Sequence, residues 1–321
     1  MAPSEILIPV RDYDLAATLD SGQAFRWQRH GEAWTGLVGH RPVRLQWLDL
    51  GGDGLSPPTA AIRAQTPHPV TDWHWLTHYL QTEVDLAAIT QTFPADAPMQ
   101  NAIAACRGLR LLRQDPWECL ASFMLSSTKQ IVQIRQIIAL LCERHGTAID
   151  TGGEAPLHAF PTPAQIARLS EADLRACKMG FRAPNLLAAA RQVEQGVIQL
   201  EGIRDLPHAE ARTELMKFRG VGGKIADCVL LFAYGFNAAF PVDVWIKRAL
   251  KELYFPRRRP SEKRLHHFAA THFGPHGGYA QQYLFHYMRT GGDSQSPSGT
   301  LARAARTDGA ARHPDRFAGQ N

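Results

Sequence analysis

A chain of 321 residues can hold roughly two domains with ample buried core. Its 45% hydrophobic and 20% charged residues exclude a disordered or fibrous class, and a net charge of +5 permits a polyanionic partner without demanding one. Five scattered cysteines without CxxC spacing (Cys106, Cys119, Cys142, Cys177, Cys228) argue for free thiols and against zinc or iron–sulfur. The N-terminus lacks a basic start and a long apolar run, so no signal peptide is expected, and no stretch approaches the ~20 apolar residues of a membrane span.

Residues 1 to about 95 read as β-rich. Val43, Leu45 and Trp47 alternate with Arg44 and Gln46, the period-two pattern of a half-buried strand. The Pro- and Ala-rich stretch from Pro57 to Pro69 reads as loop. From about residue 97 the period becomes helical. Asp115-Pro116 is a helix start signal, with Glu118 favourable to the dipole. Ile131, Ile134, Ile138 and Leu141 then form one apolar stripe. Further helices are predicted over 163–177, 183–195, 208–217, 222–234, 244–254, 261–272 and 277–289. Residues 291–321 are rich in Gly, Ser, Ala and Arg and are expected to lack order. The predicted organisation is a β-rich domain over 1–96, a helical domain over 97–290 and a tail over 291–321.

The stretch from Leu215 to Val244 concentrates the chemistry. Gly220, Val221 and Gly222 form a tight turn before a helix, where backbone N–H groups and the positive dipole end can hold a phosphate. Leu215, Ile225 and Val229 supply the apolar face such a helical hairpin needs. Glycines alone fit any helical turn. Lys224 follows in the first helical turn, a poor place for a cation; it is either a solvated surface lysine or an amine poised as nucleophile. Asp243, after Pro241-Val242, suits an N-cap, and a capped carboxylate can also stabilise a nearby cation.

These residues resemble the helix–hairpin–helix glycosylase superfamily, and within it the 8-oxoguanine DNA glycosylase branch. The resemblance runs over roughly residues 5 to 290. It rests on Ser21-Gly22-Gln23-Ala24-Phe25-Arg26-Trp27, on Gly108 to Pro116, on the Gly-Val-Gly, Lys224, Pro-Val-Asp constellation, and on Gly278-Tyr279-Ala280-Gln281 through Phe285. It implies an α+β fold: an antiparallel, TBP-like N-terminal β domain, then an all-α helix–hairpin–helix glycosylase domain. It implies a bifunctional repair enzyme, in which Lys224 attacks the anomeric carbon, forms a Schiff base and nicks the strand by β-elimination. Asp243 would stabilise the oxocarbenium. The Gly22 carbonyl would meet the N7–H that only the oxidised base carries. Gln281 would read the pairing edge, Phe285 would stack on the base, and Cys228 would close the sandwich. Taken singly, each has a plainer reading as turn glycine, surface glutamine, core phenylalanine or buried thiol.

For DNA contacts the resemblance implicates Gly220, Val221 and Gly222, Trp245 where a histidine is common, and Phe181-Arg182 as wedge and opposite-base reader. Thr128, Lys129, Gln130 and Gln133 depart from the asparagine-rich run and arginine that normally read the orphaned cytosine, which puts opposite-base preference in doubt. Arg257-Arg258-Arg259 and Lys263-Arg264 read as a solvated basic face. The implied partner is damaged double-stranded DNA, with no membrane and a monomeric protein. No cofactor or metal is implied beyond, at most, a monovalent or divalent cation between hairpin and phosphate. The expected location is cytoplasmic and nucleoid-associated in a bacterium, nuclear in a eukaryote. The alternatives are a sister glycosylase of other lesion specificity and a non-catalytic binder of damaged DNA. The absence of a four-cysteine cluster after Cys228 counts against the adenine- and pyrimidine-lesion branches, and a pure binder needs neither Lys224 nor Asp243.

Overall fold

The computed structural model describes residues 4–51, 60–126, 130–152 and 155–291. Thr128 and Lys129, and all but the first residue of the predicted tail, lie outside them. Five antiparallel strands make one sheet in the order β1-β5-β4-β3-β2: β1 (Ser4–Val10), β2 (Gln28–His30), β3 (Ala33–Val38), β4 (Arg41–Asp49) and β5 (Ala60–Thr66). The alternation read in β4 points Val43 and Leu45 into the core, while Trp47 near the strand end is 38% exposed.

Strand β5 corrects the loop expected across Pro57–Pro69. Alanine is a weak strand former, but β5 is sandwiched between β1, from Ser4 opposite Thr66 to Val10 opposite Ala60, and β4, where Trp47 faces Ile62. Pairing on both edges and full burial of Ala61, Ile62 and Ala64 override propensity.

The β-rich reading also runs too far, because helices α1 (Leu15–Asp20), α2 (His74–Leu80) and α3 (Leu86–Thr90) share this region. Leu15, Leu19, Leu76 and Leu80 pack on Ile8, Trp27, Leu45 and Ile62 as one core. Asp14 and Asp85 start α1 and α3 by accepting the Ala17 and Ala88 N–H groups.

The second core is helical: α4 (Ala97–Ala105), α5 (Pro116–Leu125), α6 (Ile131–His145), α7 (Pro163–Ala167), α8 (Glu171–Ala176), α9 (Ala183–Glu194), α10 (His208–Met216), α11 (Gly223–Val229), α12 (Val244–Ala249), α13 (Glu262–His272) and α14 (Gly277–Thr290). A two-residue ladder, β6 (Ala148–Ile149) with β7 (Leu157–His158), interrupts it. Asp115 caps α5 by accepting the Glu118 N–H at 2.8 Å. Ile134, Ile138 and Leu141 of the predicted stripe are buried and Ile131 is half-buried.

The single helix expected over 163–177 is two. Ser170 caps α8, and the Ser170 N–H donates to Asp173 at 2.9 Å, so the chain restarts there. The stretches 222–234 and 244–254 are each an α-helix passing into a π-helical turn, Leu230–Tyr234 and Leu250–Tyr254.

Gln23 joins the two cores. Fully buried, it donates to the carbonyls of Thr18 and Arg110 at 2.9 and 2.8 Å and accepts the Leu112 N–H at 2.8 Å. Gln282 of α14 donates to the Ser21 carbonyl at 2.9 Å. The segment between, carrying Gly22, is thereby held at the edge of the helical core. Among the described residues no helix is long and apolar enough to cross a membrane.

Candidate active site

A cavity of about 770 Å³ opens between one side of α11, the end of α5 and the starts of α6 and α12, with α14 and Gly22 closing the side. That is within the range of small-molecule sites. Gly22, Lys224, Cys228, Asp243, Trp245, Gln281 and Phe285 all line it. The structure therefore brings together seven predicted site residues from four separated segments.

Lys224 projects from the first turn of α11. Its Nζ lies 3.5 Å from Ser126 Oγ and 5.2 Å from the centroid of the Phe123 ring. The Cys228 thiol, one turn on in α11, lines the same cavity. Burial pushes that thiol up to about 12, against the pull of the lysine charge, so Cys228 meets the amine as a neutral group.

Asp243 caps α12, its Oδ1 accepting the Ile246 N–H at 2.8 Å. Burial holds its carboxyl above the usual carboxylate range, opposed by the backbone N–H groups of α12 and by the Lys224 charge. A rigid carboxylate beside an amine, on a largely apolar wall, can steady a cation formed between them.

Gln281 is 4% exposed, and its Oε1 has no hydrogen-bond partner among the described residues. A buried unsatisfied carbonyl costs about 1–3 kcal/mol and is an acceptor awaiting a donor. Phe285, one turn on, is half-buried on the same face. Gly22 has φ +77°, and a Cβ there would come within 2.9 Å of Ile131 Cδ1 and 3.3 Å of the Phe285 ring. Only glycine brings backbone this close to the cavity.

Outside the cavity, the turn before α11 is solvent-facing at Gly220 and Gly222, while Val221 is buried as the hairpin's apolar anchor. No side chain caps α11, so its first N–H groups are open to an anion. Leu215, Ile225 and Val229 are buried beneath it. Phe181 is 63% exposed, and the buried Arg182 guanidinium lies 4.3 Å from its ring centroid. Among the described residues no three His, Cys, Asp or Glu side chains gather as a metal site; a cation at the hairpin would need carbonyl oxygens.

Sequence reasoning missed Ser126, Phe123 and Arg289. Arg289 lines the cavity with its guanidinium 5.4 Å from the Phe285 ring centroid, and its place four residues after Phe285 was the available signal. Gln130 also lines the cavity, and its N–H donates to Gln133 Oε1 at 3.3 Å.

Residues 5–120 match the family model of the 8-oxoguanine DNA glycosylase N-terminal domain, and residues 121–273 that of the HhH-GPD superfamily of base excision DNA repair proteins. A probable N-glycosylase/DNA lyase of Methanothermobacter thermautotrophicus is 29% identical over 310 residues, covering 89% of this chain and 96% of the relative. The structure of MBOgg1 with a low-affinity DNA ligand is 32% identical with a TM-score of 0.80, over 90% of this chain and 99% of that one. The 8-oxoguanine glycosylase/lyase of Clostridium acetobutylicum, solved with duplex DNA carrying cytosine opposite 8-oxoG, is 30% identical with a TM-score of 0.78, over 89% and 98%. With both halves of the architecture matched and the cavity built from the motifs that carried the resemblance, the chain belongs to the 8-oxoguanine DNA glycosylase branch of the helix–hairpin–helix superfamily.

Proposed function

We propose that this protein excises 8-oxoguanine from duplex DNA as a bifunctional glycosylase and lyase, with Lys224 as nucleophile and Asp243 as its electrostatic partner. The observation that carries the reading is the convergence of amine, carboxylate and an unsatisfied buried amide oxygen in one cavity, of about 770 Å³, with room for an extruded nucleotide. The lysine lone pair forms a bond to C1′ as the C1′–N9 pair leaves with the purine. Opening of the sugar ring and loss of an amine proton leave a Schiff base. Removal of a C2′ proton then expels the 3′ phosphate, and water releases the enzyme. Asp243 in its ionised form stabilises the positive charge at the sugar.

Extruding the base costs a few kcal/mol, recovered in the cavity. Gln281 presents its empty acceptor to the pairing edge, Phe285 stacks on the plane, and Cys228 supplies the opposite wall. The carbonyl of Gly22 accepts the N7–H that ordinary guanine lacks, and an unmatched carbonyl is worth about 1–3 kcal/mol of discrimination. The hairpin N–H groups from Gly220 to Gly222, with Trp245, grip phosphates. A cation held by hairpin carbonyls would share that load. Phe181, exposed and backed by Arg182, fills the gap left by the flipped base. In sequence, Thr128, Lys129, Gln130 and Gln133 replace the usual asparagines and arginine that read the orphaned cytosine, so a relaxed opposite-base preference is expected. The protein acts as a monomer.

The test is single-turnover incubation with a duplex containing 8-oxoguanine, followed by strand analysis and borohydride trapping. Wild type releases the base, nicks the strand and becomes covalently trapped. K224Q loses nicking and trapping while keeping duplex affinity within about 3-fold, since a single phosphate-independent side chain contributes little to DNA affinity. Undiminished nicking by K224Q refutes the assignment.

A further inference from the structure

We infer that Ser126 is a positioning residue for the Lys224 amine, accepting one of its N–H groups while leaving its lone pair free to attack. The inference rests on Lys224 being the nucleophile. Ser126 ends α5, and its Oγ lies 3.5 Å from Lys224 Nζ. The proton of that hydroxyl is already committed, because Ser126 Oγ donates to the Phe123 carbonyl at 2.7 Å. What the oxygen turns to the amine is therefore lone-pair density.

Such a partner serves both charge states of the lysine. The ammonium donates to it. So does the neutral amine, through one N–H, with its own lone pair directed elsewhere. A hydroxyl free to donate would do the reverse and occupy the electrons that must form the bond to C1′.

Two further features hold the amine in place. The Phe123 ring, 5.2 Å from Nζ at its centroid, is itself stacked on Phe232 at 5.5 Å. The amine also sits at the C-terminal end of α5, the negative end of that helix dipole, which offsets its unfavourable place in the first turn of α11. Precision matters here: four rotatable bonds spread a free lysine amine widely, and a misplacement of about 1 Å at a reacting atom can cost about 100-fold.

The experiment compares full-length wild type, S126A, S126C, S126T and K224Q. Three quantities are read: single-turnover excision from an 8-oxoguanine duplex, the rate of borohydride trapping on a preformed abasic duplex across a pH series, and affinity for a duplex bearing a tetrahydrofuran abasic analogue. S126A and S126C should lose about 10-fold in both rates, the worth of one hydrogen bond to a charged group. Their analogue affinity and Tm should match wild type, and S126T, which keeps an oxygen acceptor, should recover most of the loss. Wild-type trapping by S126A or S126C overturns the inference. So does a rate loss accompanied by proportionate losses of affinity and Tm, the mark of a purely structural role. Trapping by K224Q would overturn the nucleophile reading and this inference together, whereas an inert K224Q beside a fully active S126A would overturn this inference alone.

Discussion

At Asp243 one carboxylate caps α12, accepting the Ile246 N–H at 2.8 Å, and also faces the Lys224 charge from a buried wall. Burial dominates and lifts its pKa above the ordinary value near 4, with the N–H groups and the lysine pulling the other way. Only the ionised form stabilises the cationic sugar. Excision should therefore rise with pH through this raised pKa, and a pH–rate profile of the single-turnover step should show an acid limb above the pH of an unperturbed aspartate. D243N should abolish that limb and slow excision at neutral pH by about 10²–10³-fold. An acid limb at the unperturbed position would contradict the assignment. For stability the sign is opposite. A carboxyl with a raised folded pKa contributes stability below its unfolded pKa and loses it as pH rises through the folded one. D243N, which keeps a capping oxygen, should thus melt higher than wild type at neutral pH.

The helical hairpin is an element whose shape hangs on Gly220. Its φ is +87°, and a Cβ there would come within 2.4 Å of Asn185 Nδ2. G220A should lower stability by about 1–2 kcal/mol, seen as a reduced Tm, and should weaken affinity for undamaged duplex several-fold, because the turn presents the N–H groups of α11. Elements bounded by a chemical signal were legible in the sequence: Asp115-Pro116 opens α5 and Asp243 opens α12. β5 was not, since its alanines become a strand only between the edges of β1 and β4. Neither were the π-helical turns after α11 and α12, which are a matter of hydrogen-bond register and not of composition. The residues of the candidate site were legible through family motifs more than through periodicity. Ser126 escaped because its significance arises only when folding brings together residues 98 positions apart.

On the scale of the whole molecule, Gln23 is the joint between the sheet's core and the helical core. Q23A would strip partners from the buried Thr18 and Arg110 carbonyls and from the Leu112 N–H. The expected loss is about 3 kcal/mol, read as a lower urea midpoint with an unchanged m-value; a wild-type midpoint would mean the joint is held elsewhere. The half-buried Arg26–Glu118 pair at 3.1 Å ties the same motif to α5, and there desolvation lifts the Glu118 carboxyl above its ordinary range. The five cysteines form a pattern of their own. Every one is buried, and burial pushes every one of the thiols above its ordinary pKa. Oxidants attack the thiolate, so the conditions that damage guanine find little purchase on the sulfur of the protein that removes it, including the sulfur set in the wall of its own reaction chamber.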